Sequence, residues 1–129
     1  MQIPADRWLP LENTRVTPEG RWESTIRFDS SSKWFSGHFD EFPLVPGVAL
    51  LALAAEMLER QGREQGRCFV VSGFSKVRFK RLVFPDEELH ISVAAMSSAP
   101  EATLDFHIAC RGDTVAQGFL KASEEVSRG

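Results

Sequence analysis

The sequence predicts an α+β protein in which a curved antiparallel sheet wraps around one long central helix, and three observations predict it. Residues 48–58 carry ten apolar side chains and a single charge, Glu56. A helix that apolar on all sides is buried rather than laid on a surface. Several other segments alternate apolar and polar residues, the period-two pattern of strands with one face in a core. Turn-forming residues separate those segments at short intervals, which suits antiparallel neighbours. Strands with one apolar face need a cover, and the helix supplies it.

Each element follows in order. Residues 11–16 read as a short strand ending in the turn Thr17-Pro18-Glu19-Gly20. Residues 21–28 place Trp22, Ile26 and Phe28 on one face and Arg21, Glu23, Thr25 and Arg27 on the other. Residues 29–32 are a polar loop. Residues 35–45 form a second loop punctuated by Gly37 and Pro43, with His38 among aromatics. Pro46 opens the helix, where a missing N–H is no loss because first-turn donors are unpaired anyway. The apolar run is too short to span a bilayer, and the glycines of residues 61–67 end it. Residues 68–83 read as a long strand bent near Gly73, and Pro85-Asp86 begins a turn. Residues 87–96 put Leu89, Ile91 and Val93 on one face; residues 102–111 do the same with Leu104, Phe106, Ile108 and Cys110. Gly112-Asp113 is a tight turn into the last strand, 114–122. The strands after the helix are expected to form a meander, and residues 123–129 a frayed polar tail.

At 129 residues, 43% apolar and 26% charged, the chain is expected to be one domain over residues 1–129 with a real core. A net charge of −3 argues against general nucleic-acid binding. Cys68 and Cys110 sit in apolar runs and read as reduced core thiols, neither a disulfide nor a metal site. No secretory h-region is visible at the start of the chain, so a cytoplasmic protein is expected. No His/Cys/Asp spacing suggests a metal and no phosphate-binding glycine motif is present, so no cofactor is expected.

The stretch GHFDEFPLVPGV closely resembles the signature of the 3-hydroxyacyl-[acyl-carrier-protein] dehydratases, and GFSKVRFKRLVFPDEEL is similar to their second landmark, a basic strand ending in a Pro-Gly-Asp turn. The matching order runs from about residue 11 to 123. The resemblance implies the hot-dog fold, a dehydratase acting on 3-hydroxyacyl thioesters, and sites at the interface of a dimer or an assembly of dimers. It also implies an acyl chain carried on the phosphopantetheine of an acyl carrier protein or coenzyme A, within acyl-chain biosynthesis. No nucleic acid or membrane is implied as a partner.

Dehydration needs a base for the α-proton, an acid for the departing hydroxyl and donors for the thioester oxygen. His38 suits the base, since imidazole titrates near neutrality; the alternative is a structural histidine bonded to its loop. The N–H groups of Gly47 and Val48 are unpaired donors at the positive end of a helix, and by resemblance the family uses them on the thioester carbonyl. The family's acid lies six residues after the proline of PGV, where this chain has Ala52. Glu56, one turn further on the same face, is the first substitute; its alternative is a carboxylate near the helix end that reaches solvent or pairs with an arginine. Asp40, followed by Glu41, is a weaker substitute, and an acid from another chain is the third. Phe35, Phe39, Phe42, Leu50 and Leu51 are expected to line an acyl tunnel. His90 and His107 lie on polar strand faces and read as uninvolved. Lys76, Arg78, Lys80 and Arg81 form a basic cluster in an acidic chain, suited to docking an acidic carrier, or else an ordinary solvated face. Two other readings stand beside the dehydratase: a half-site or non-catalytic subunit that pairs with an acid-bearing hot-dog partner, and a thioesterase.

Overall fold

The computed structural model describes residues 12–28, 47–96 and 100–125. These form β1 (Glu12–Val16), β2 (Arg21–Arg27), α1 (Gly47–Glu64), β3 (Cys68–Phe79), β4 (Glu88–Ala94), β5 (Glu101–Cys110) and β6 (Asp113–Glu125). The six strands make one sheet in the order β1-β2-β4-β5-β6-β3, and every neighbouring pair is antiparallel. Helix α1 touches β2, β3, β4 and β6, so the sheet closes around it from both sides.

Alternation places Trp22, Ile26, Leu89, Ile91, Val93, Phe106, Ile108 and Leu120 inward, where all are buried against Leu53, Met57 and Leu58 of the helix. The helix outruns its apolar stretch by nearly two turns because its polar residues find partners there. Gln61, 1% exposed, brings its side-chain oxygen within 3.2 Å of Trp22 Nε1 and 3.3 Å of Met96 N, satisfying two inward-facing donors. Such donors cost about 1–3 kcal/mol each if left unpaired. Glu56 draws in Arg60 and Arg63 from the next turns. The helix stops at a left-handed Gly66 (φ 70°), with Arg67 N donating to Gly62 O (2.7 Å) and Gly66 N to Arg63 O (3.2 Å).

Five expectations need correction. The strands after the helix are not one continuous meander: β4, β5 and β6 are, but β3 pairs with β6 at the sheet edge, and residues 80–87 carry the chain across to β4. That crossing also ends β3 at Phe79 rather than at residue 83, and it is pinned by Lys80 N to Val115 O (2.8 Å) and Asp86 N to Phe28 O (2.7 Å). Residues 123–125 are not tail but strand, paired with β3 through Cys68↔Glu125 and Phe69↔Glu124. The β5–β6 turn is Arg111-Gly112, not Gly112-Asp113; both residues have positive φ (52° and 84°), the type I′ geometry that matches strand twist. Finally, Cys68 is exposed on the edge strand, whereas Cys110 is buried as expected; both are free thiols.

Candidate functional site

The site is built around the start of α1. Four unpaired N–H groups cluster at any helix N-terminus with a partial positive charge, and the first turn here carries no acidic residue to occupy them. Gly47 begins the helix. A Cβ there would come within 2.9 Å of Phe79 Cζ, so the missing side chain is what lets the Phe79 ring of β3 lie against the first helical residue. Val48 is 46% exposed and Phe79 51%, so the apolar surface at this end of the helix is open. His38, Asp40, Phe35, Phe39 and Phe42 lie outside the described residues.

The expected tunnel residues of the helix separate. Leu50 is buried in the core, while Leu51 is partly buried and packs against it. Three concavities of the described surface are lined by strand residues, most of them facing outward, and neither leucine lines any of them. Ala52 is 3% exposed and faces the core with no carboxyl group.

Glu56 is also buried, its side chain 6% exposed, and it is not free. Its Oε1 accepts from Arg63 Nη2 and lies 3.8 Å from Arg60 Nε. The sequence spacing explains the pairing: Arg60 is four residues on and Arg63 seven, the same helix face. The carboxylate accepts a hydrogen bond from the Arg63 guanidinium and is ion-paired with that of Arg60.

The basic cluster divides as well. Lys76, Arg78 and Lys80 are exposed and make no ion pair among the described residues. Arg81 is turned inward: its Nη2 is 2.7 Å from Glu87 Oε2. Glu87 accepts from Phe84 N (2.9 Å) with its other oxygen, and the Cys110 thiol lies 3.6 Å from Oε2. Burial pushes the Glu87 carboxyl up, but the Phe84 N–H and the Arg81 guanidinium outweigh it and hold the group below the usual carboxylate range. Arg81 is therefore a clasp for the 80–87 loop rather than an exposed cation like Lys76, Arg78 and Lys80.

Other groups had no clear signal in the sequence. Glu59, on α1, reaches across to the edge strand, its Oε2 3.5 Å from Val71 N. Burial raises its carboxyl, against the Val71 N–H that lowers it. Only the pairing of β3 with the far edge of the sheet brings these two groups together. His90 and His107 share a shallow concavity of about 400 Å³ on the outer face, with Arg15, Glu23, Thr25 and Ser92. His107 Nε2 lies 2.9 Å from Thr114 Oγ1 and His90 Nε2 3.4 Å from Glu88 Oε1, so both histidines are engaged with side chains of the same face. Among the described residues no group of three or more metal-ligating side chains is present, and no helix is long and apolar enough to cross a membrane.

Comparison with known proteins gives this geometry a family. Residues 14–119 match the ApeI-like family model, described as ApeI dehydratase. The chain is 32% identical over 127 residues to the 3-hydroxyacyl-[acyl-carrier-protein] dehydratase FabZ of Bacillus cereus, covering 88% of each chain. It is 27% identical over 121 residues to the FabZ of Cupriavidus metallidurans, covering 84% of this chain and 77% of that one. Among solved structures it resembles a chain of the dehydratase heterocomplex ApeI:P from Xenorhabdus doucetiae (TM-score 0.71, 21% identity, 88% of this chain and 96% of that one). It also resembles a hypothetical thioesterase from Streptococcus pneumoniae solved with coenzyme A (TM-score 0.72, 14% identity, 96% and 92%). At those identities the structural likenesses speak for the fold, which is the hot-dog fold, and the sequence relatives speak for the family. The chain belongs to the ApeI-like dehydratase family of hot-dog proteins.

Proposed function

We propose that this chain works in the dehydration of 3-hydroxyacyl thioesters presented on a carrier protein, with His38 as the base that takes the α-proton. The observation that carries the reading is the kinship with 3-hydroxyacyl-[acyl-carrier-protein] dehydratases along nearly the whole chain, with GHF and PGV kept in order in this sequence. The open helix start at Gly47 and Val48 supports it, because backbone donors there meet the thioester oxygen as it gains enolate character. The exposed cations Lys76, Arg78 and Lys80 support an acidic carrier as the source of the acyl chain. Phe35, Phe39 and Phe42 remain the proposed tunnel wall.

A second reading concerns the acid, and the Glu56 ion pair favours it. A general acid must offer a proton to the leaving hydroxyl. Ala52 has none to offer, and Glu56 is engaged with Arg60 and Arg63. Asp40 stands as a weaker candidate. We therefore infer that the acid comes from a second hot-dog chain, and that this chain contributes the base and the helix-start donors to a shared site. Edge strand β3, 12 residues long with its outer edge unpaired by any described strand, is the natural place for that chain to join, since long bare edges invite pairing. A homodimer would carry the same gap in both sites; a heterodimer with an acid-bearing partner would fill one.

The test of the base is His38→Ala, assayed with 3-hydroxyacyl substrates together with whatever partner restores activity. Turnover should fall by about 10² or more with the fold intact. A variant that keeps most of the parental rate removes His38 from the mechanism.

A further inference from the structure

On the outer face of the sheet, β3 carries a bulge opposite Gly118. Ser75 pairs with Phe119 and Arg78 with Gln117, so Lys76 and Val77 together oppose a single residue of β6. Lys76 takes a left-handed backbone (φ 51°), unusual for a lysine. The crossing is close: a Cβ on Gly118 would sit 3.0 Å from Val77 Cα. Bulges of this kind bend a strand and re-aim its side chains. The result here is a groove of about 540 Å³ whose rim includes Lys76, Arg78, Gln117 and Phe119, with Asp105 and His107 on the far side.

Phe119 is out of place on that face. Its outward neighbours along β6 are Gln117 and Lys121, and its cross-strand partners are Ser75 and Asp105, yet it is a phenylalanine left 37% exposed. The charges beside it are unbalanced. Asp105 is already neutralised by Arg21 at 2.9 Å, while Lys76 and Arg78 have no ion-pair partner among the described residues. An exposed aromatic flanked by uncommitted cations has the composition of an interface hot spot, an apolar anchor with charges around it that steer a partner.

We propose that this groove is the seat of the acidic carrier protein, with Phe119 as its apolar anchor and Lys76 and Arg78 as the charges that bring the carrier in. The partner surface it fits presents an apolar side chain flanked by carboxylates. The inference rests on the carrier-bound substrate proposed above and adds to it a site and an anchor that is not basic.

The experiment measures binding of a fluorescently labelled holo acyl carrier protein to the parent chain, Phe119→Ser, Phe119→Leu, Lys76→Ala/Arg78→Ala and the control His90→Ala, at several salt concentrations. Thermal melts confirm folding, and turnover of short pantetheine thioesters is followed in parallel with any partner chain present. Phe119→Ser should weaken carrier binding about tenfold or more at every salt concentration, and Phe119→Leu should weaken it less. Lys76→Ala/Arg78→Ala should flatten the salt dependence. His90→Ala should bind like the parent, and pantetheine turnover should be unchanged throughout. If Phe119→Ser binds like the parent while the double variant loses binding, the anchor is wrong and docking by charge alone stands. If the parent binds no carrier yet turns over pantetheine thioesters, the carrier site is wrong and the dehydratase reading stands. If Phe119→Ser instead dissociates an assembly of this chain and leaves carrier binding intact, the groove is an interface between copies and the proposal is overturned.

Discussion

Glu56→Gln separates structure from catalysis at the one carboxylate of the apolar helix run. The substitution keeps the shape and an acceptor oxygen and removes the charge. In the parent that charge is 6% exposed and faces Arg63, 59% exposed, and Arg60, 25% exposed. Exposed ion pairs contribute about 0.2–1 kcal/mol, and breaking a fully buried pair costs about 3–5 kcal/mol because the remaining charge is stranded. Here the buried partner is the one removed, and both guanidinium groups can turn to water, so the loss should be about 1–2 kcal/mol. For a chain of this size that lowers Tm by about 3–8 °C. The assay is a thermal melt beside turnover per folded molecule, with any partner chain needed for activity present throughout. A lower Tm with unchanged turnover fits a structural ion pair. An unchanged Tm with turnover reduced by 10² or more would refute this reasoning and make Glu56 the acid.

Two further predictions concern local energetics. Arg111 holds φ 52° at the first position of a type I′ turn, where asparagine is at home; Arg111→Asn should stabilise the protein by about 0.5–1 kcal/mol in urea denaturation, and no gain would mean the turn is not strained. Burial raises the Glu59 carboxyl above its ordinary value of 4.5, so the folded state binds that proton more tightly than the unfolded chain, and stability falls as pH rises through the interval between the two values. Glu59→Gln should therefore raise stability at pH 7 and change little well below pH 4.5; a loss at pH 7 would show that the Val71 and Arg63 contacts outweigh desolvation.

Most of the fold was legible because its signals are local. Period-two alternation placed Leu89, Ile91, Val93, Leu104, Phe106, Ile108 and Cys110 inward, and all are buried. The apolar run 48–58 marked the helix. What local pattern does not encode is which strand pairs with which. Residues 68–79 alternate no differently whether they neighbour β4 or β6, so the edge position of β3, and with it the exposure of Cys68, had no signature. The helix extension was hidden in polar residues: Gln61 joins the core through hydrogen bonds to Trp22 and Met96, partners 39 and 35 residues away. At the site, GHF and PGV carried the resemblance to the family that the comparisons show. The fate of each charge could not be read from residue types. Arg81 and Arg78 are equally basic in sequence, yet one is clasped by Glu87 and the other is exposed with no ion pair among the described residues, because the chain leaves the strand between them.

The claim at the centre of this account is that the chain lacks its own acid at Ala52. The most direct measurement is dehydration of a 3-hydroxyacyl pantetheine thioester by the purified chain alone, comparing the parent, Ala52→Glu and Ala52→Glu/His38→Ala. Ala52 is 3% exposed, so a melt must first show that the glutamate is accommodated. A positioned acid contributes about 10²–10⁴ in rate. The account predicts a parent near background, a gain of at least tenfold in Ala52→Glu, and loss of that gain in the double variant. Robust turnover by the parent alone that Ala52→Glu does not raise would contradict it.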